Sequence, residues 1–213
     1  MEELDLLKKA WNKSENYPKV SEEKIYAMLH KNSSSAIKWI FIISIIEFSF
    51  GILLNIGMNF TKSHKETVEL LKNAGIYSFY QIGSALIWLV ALYFIYKFYT
   101  IYRTVSTTDS VKQLMETILN SRKTVRNYII FNLAAGTVFL LIVYTFVLQT
   151  MLKSIALEQH REISLGFYIG AFTGVLIATA IIIGCFWLVY RILYGFLLKR
   201  LKKNYHELKK IEY

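Results

Sequence analysis

Cysteine and proline are almost missing from this chain of 213 residues: each occurs once, as Cys185 and Pro18. A lone cysteine excludes an internal disulfide and any cysteine-based zinc site. A lone proline leaves long stretches in which nothing forces a helix to stop. Charge is also scarce, at 19% of residues against 54% hydrophobic, where soluble domains average about 25% and 45–50%. The four histidines, His30, His64, His160 and His206, are scattered, and none has a second ligand at His-x3-His spacing. No nucleophile elbow, phosphate loop or dinucleotide fingerprint occurs. The expectation is a non-enzymatic protein with no metal and no cofactor. A lipid-acting enzyme ranks third among the readings, for want of a visible catalytic pair.

What is present is apolar and blocky. Four runs, at 36–57, 76–102, 128–152 and 166–198, each offer the roughly 20 residues that cross about 30 Å of hydrocarbon as a helix. They lack the polar alternation of a membrane barrel. The fold class predicted is all-α: an integral membrane bundle of four transmembrane helices with cytosolic helical extensions. Residues 1–35 form the N-terminal segment, 36–198 the transmembrane domain, and 199–213 a basic tail. The first 35 residues carry charges of both signs and no early apolar stretch. The first run is therefore expected to act as an uncleaved anchor.

The net charge is +10, which raises the question of nucleic acid. Placement answers it. Twenty of the 25 Lys and Arg residues fall in 1–38, 97–127 and the tail from Arg191, and five in the loops 58–75 and 153–165. The charge flanks membrane spans and no nucleic-acid motif accompanies it. By the positive-inside rule both termini and the middle loop face the cytoplasm.

Those three basic segments also carry helical patterns. Leu4, Leu7 and Trp11 have helical spacing, and Pro18 ends that segment. Ser21 is placed to cap a second helix, with Glu22 and Glu23 in its first turn and Val20 with Ile25 as a staple. Ile25, Met28 and Leu29 make its narrow apolar face, and 32–35 either fray or continue into the anchor. In 103–127, Asp109 can cap, and Val111, Leu114, Met115, Ile118, Leu119 and Val125 recur at i, i+3, i+4, i+7 spacing. Leu197, Leu201, Tyr205 and Leu208 line one side of the tail, while Lys199, Arg200, Lys202 and Lys203 cluster next to the membrane, where anionic lipid attracts them. On the other side, 61–75 reads as a short helix that Gly75 stops. The sequon at Asn59 abuts the membrane and is discounted.

Glu47, the one carboxylate inside a span, is the leading candidate for chemistry. An ionised carboxylate near the bilayer midplane costs several kcal/mol unless partnered. Ser44, Glu47, Gly51 and Asn55 share a helix face, so that face should point inward. At matching depth the other spans offer Trp88, Thr137, Tyr144 and Thr179, while Lys97 and Arg191 sit near the ends and can snorkel. Glu47 is expected to be neutral or held by hydrogen bonds rather than paired to a cation. The fourth span carries Gly166, Gly170, Gly174 and Ala178, each four apart. Such a stripe lets helix backbones approach, within the bundle or in a homodimer.

The segments MEELDLLKKAWNK and YPKVSEEKIYAMLHKNSSSAIKWIFIISIIEFSF resemble a group of four-span inner-membrane proteins of Bacteroidota. Some members of that group carry a carotene monooxygenase label. The resemblance implies a bacterial inner-membrane location and no particular activity. Its oxygenase label does not transfer, because that chemistry needs a histidine-rich iron site. Function is read as a cytosolic-face interaction or regulatory platform, engaging a cytosolic protein partner through 1–35 and 103–127. The alternative is a small proton-coupled transporter built on Glu47.

Overall fold

A computed structural model describes residues 21–107, 110–159 and 164–212. Helix is the rule throughout: α1 (Glu22–Asn59), α2 (Lys62–Asn73), α3 (Tyr77–Ser106), α4 (Val111–Gln159) and α5 (Leu165–Glu212). Four of them, all but α2, are long and apolar enough to cross a membrane, so the all-α membrane bundle is as expected. Leu4, Leu7, Trp11, Pro18, Val20, Asp109 and His160 lie outside the described residues.

The helix ends follow local chemistry. Ser21, extended at φ −62° and ψ 150°, accepts at its side chain from the Lys24 amide, with Glu22 and Glu23 at the positive end of the dipole. Thereafter nothing breaks α1 for 38 residues, so 32–35 do not fray. Ser110 Oγ accepts from the Gln113 amide at the start of α4. Thr61 caps α2 by accepting from the His64 amide. Gly75 ends that turn at φ +70°, where a side chain would be strained.

Their lengths exceed a bilayer. At 1.5 Å per residue, the 49 residues of α4 and 48 of α5 reach about 72 Å, more than twice the hydrocarbon thickness. The excess projects at the end that gathers the start of α1, the α3–α4 connection and the close of α5. The described parts of all three basic segments therefore lie at one end.

The four long helices run up and down in a ring: α1 touches α3 and α5, and α4 closes the circle between them. Their core lies at the basic end. Ile37 and Ile40 of α1, Phe98 and Val105 of α3, Leu114, Ile118 and Val125 of α4, and Tyr194, Leu201 and Leu208 of α5 are almost wholly buried there. The apolar stripes of 111–125 and of the tail are thus consumed within the chain, leaving Leu119 (44% exposed) and Met28 (48%) turned outward. A polar interlock pins the same region. Asn204 Nδ2 donates to buried Ser33 Oγ at 3.0 Å, Arg200 to Asn32 Oδ1 at 2.9 Å, and His30 Nε2 to the Val105 carbonyl at 3.0 Å. Packing thins toward the opposite end, where α2 sets Leu71 against Ile76 and Val143.

Candidate functional site

Glu47 sits on α1 at the edge of the large core, facing α5. Tyr190 donates its hydroxyl to Glu47 Oε1 at 2.6 Å, and Tyr194 donates to Oε2 at 3.1 Å. The two tyrosines are one helical turn apart on α5, so one face delivers both donors. Both are buried, as is Tyr128 of α4, which meets each ring edge-on with centroids 6.0 Å away. The 2.6 Å separation lies in the range of strong hydroxyl–carboxylate bonds. Among the described residues Glu47 takes part in no ion pair. Hydroxyl donors stand where a counter-cation would otherwise be needed.

One side of the carboxylate is open. A cavity of about 390 Å³ begins at Glu47 and is walled by Phe48, Gly51, Trp88, Tyr128, Asn132 and Phe186, among others. Phe48 and Trp88 meet edge-to-face at 5.1 Å. Gly51 permits this: a Cβ there would lie 2.8 Å from the Trp88 ring. Asn132 donates from Nδ2 to the Tyr128 carbonyl at 2.9 Å, and its Oδ1 has no protein donor among the described residues. A carboxylate accepts up to about four hydrogen bonds; Tyr190 and Tyr194 supply two, and the Tyr128 hydroxyl also interacts with it. The arrangement is an apolar, aromatic chamber with one acidic group at its wall.

A family model described as a domain of unknown function, DUF8845, matches residues 23–213. The chain belongs to the DUF8845 family. No curated protein and no solved structure matches it. The DUF8845 match contains all five helices but for the first residue of α1, and so contains every residue of the chamber.

Only some of the residues singled out from sequence meet at this site. Glu47, Gly51 and Trp88 do. Ser44 is buried, but its hydroxyl donates to the Phe41 carbonyl within its own helix at 2.7 Å. Asn55 is exposed and bonded to Asn59 one turn on. Thr137 likewise donates to Leu133 in its own helix. Tyr144 is outside the chamber, and Thr179 is buried elsewhere with Oγ1 unpartnered among the described residues. The actual donors, Tyr190 and Tyr194, are not among the partners that the sequence suggests at matching depth. At 33 residues the fourth run is longer than a bilayer. Counting from the basic ends would have found them: Glu47 lies nine residues after Lys38, and Tyr190 nine before Lys199.

The small-residue stripe behaves differently from a bundle contact. A Cβ added at Gly166, Gly170 or Gly174 would meet nothing within 4 Å, and Ala178 is exposed. Among the described residues, no helix packs on it. In the tail, Lys199 and Lys202 are exposed, Arg200 is engaged with Asn32, and Lys203 pairs with Glu207 at 3.8 Å on the surface.

Proposed function

We propose that this protein is a non-enzymatic inner-membrane transporter of small cations, with Glu47 as the group that exchanges a proton for its cargo. The observation that carries this is the placement of the carboxylate: tyrosine hydroxyls hold it on one side and an aromatic chamber borders it on the other. About 390 Å³ suits a small organic ligand, since ligand pockets run from about 300 to 1,000 Å³. Aromatic faces attract a monovalent cation by about 0.5–2 kcal/mol each, and a carboxylate adds the matching charge. A bacterial inner membrane with both termini cytoplasmic accords with the four-to-one placement of Lys and Arg. The cytosolic-platform reading finds less support. Of the stripes that reading relies on, Leu114, Ile118 and Val125 are buried within the chain.

The test is uptake of tetraphenylphosphonium, an aromatic monocation, into proteoliposomes under an imposed pH gradient. Wild type is expected to show gradient-driven uptake, and Glu47→Gln, folded by circular dichroism, is expected to lose it. Equal uptake by both proteins would refute the proposal.

A further inference from the structure

A second cavity, of about 380 Å³, lies between α4 and α5 at the basic end, well away from Glu47. Arg122, Lys123 and Arg126 of α4 form its polar wall, and Ile129 and Ile130 with Leu198 of α5 continue it toward the membrane. The cations recur at i, i+1 and i+4, so one helix face presents all three. No carboxylate lines the cavity. Among the described residues none of the three cations has an ion pair or a hydrogen bond to the chain. Three positive charges, Arg122 partly buried and Lys123 and Arg126 exposed, share one cleft without a counter-charge from its lining, so an anion from outside can face all three.

The vertical order of the lining says which anion. From Arg122 to Ile130 the helix climbs about 12 Å, from basic residues to bare aliphatic ones. The third apolar run begins at 128, between the two bands. The cations therefore lie at headgroup level and the isoleucines at the top of the hydrocarbon, each polar shell being only about 5–8 Å deep. A free phosphate would use the cations and leave the aliphatic wall idle. A membrane lipid uses both.

We infer that this cleft is a binding site for one anionic phospholipid, its phosphate held by Arg122, Lys123 and Arg126 and its acyl chain laid along Ile129, Ile130 and Leu198. The site is distinct from the basic tail at Lys199, Arg200, Lys202 and Lys203, whose side chains do not line it.

The experiment is native mass spectrometry of the full chain in neutral detergent, with equal amounts of dioleoylphosphatidylglycerol and dioleoylphosphatidylcholine. Wild type is expected to retain the phosphatidylglycerol in preference. The preference should fall about fivefold for each basic residue removed, the factor that corresponds to roughly 1 kcal/mol apiece. The variant Arg122→Gln/Lys123→Gln/Arg126→Gln should thus bind both lipids nearly alike. Leu198→Trp, which narrows the aliphatic part of the cleft and leaves every charge in place, should also diminish the preference, and it carries the test should the triple variant not fold. Lys199→Gln/Lys202→Gln/Lys203→Gln should keep it. Equal retention of the two lipids by wild type, or an undiminished preference in Leu198→Trp, would overturn the inference. Displacement of the lipid by millimolar inorganic phosphate would overturn the acyl-chain half of it and leave an anion site only.

Discussion

The two hydroxyls on Glu47 can be removed without disturbing the packing around them, because phenylalanine fills the same space as tyrosine. In Tyr190→Phe, Oε1 of Glu47 loses its 2.6 Å donor; in Tyr194→Phe, Oε2 loses a weaker one at 3.1 Å. Hydrogen bonds between membrane helices are worth roughly 0.6–2 kcal/mol, and those to a charged group in proteins about 1.5–3 kcal/mol. Tyr190→Phe is expected to cost about 1–2 kcal/mol, and Tyr194→Phe about half that by its length. The stronger statement concerns coupling. If the cost comes from the carboxylate, Tyr190→Phe in a Glu47→Leu background should cost almost nothing, giving a coupling energy of about 1–2 kcal/mol in a double-mutant cycle. Reversible unfolding in mixed micelles, followed by circular dichroism on all four proteins, supplies the cycle. A coupling energy within about 0.3 kcal/mol of zero would refute the reasoning, since the tyrosines would then matter only for packing with Tyr128. So would a larger loss from Tyr194→Phe than from Tyr190→Phe.

Two further predictions test close approach and polar satisfaction. A Cβ at Gly83 would lie 2.5 Å from the Phe139 ring, one at Gly51 2.8 Å from Trp88, and one at Gly136 3.9 Å from Ile183. Thermal unfolding should therefore rank Gly83→Ala as the most destabilising, within the about 1–3 kcal/mol of overpacked sites, then Gly51→Ala, with Gly136→Ala near neutral; a reversed order would contradict the packing. Thr179, 3% exposed and with Oγ1 unpartnered among the described residues, should accept Thr179→Val with no loss of stability or a gain of up to about 1 kcal/mol, and a loss above that size would mean that its hydroxyl has a partner.

Much of the architecture follows from patterns that require no partner to be known. Four runs of sufficient length and the absence of interior breakers give four long helices, and Ser21 and Gly75 act through their own backbone neighbourhoods. The stripe at 111–125 was legible as buried, although what buries it was not: periodicity names a face and is silent about the opposing surface. The same limit explains the site. Glu47 and its neighbour Gly51 stand out in one helix, where 3.6-residue spacing is decisive. Tyr190 and Tyr194 qualify only once α5 is set beside α1 at the right height, and height is not a property of either sequence segment alone. The glycine stripe shows the converse. Its spacing is ideal for close helix approach, yet within the chain α5 presents that side to open space.

The unequal packing of the bundle has a mechanical meaning. At the basic end, buried side chains from four helices and three polar bridges make a clamp in which no helix can slide independently. Toward the far end the cluster is small, with Leu71 of α2 packed among Ile76, Tyr80, Phe139 and Val143. A structure gripped at one end and loose at the other bends where the grip stops. Tyr190, Tyr128 and Phe94 are the outermost members of the grip, and Glu47 is fastened to the first of these. Amide exchange should accordingly change from slow to fast along α1 and α5 near this carboxylate. The pivot and the acid share one address.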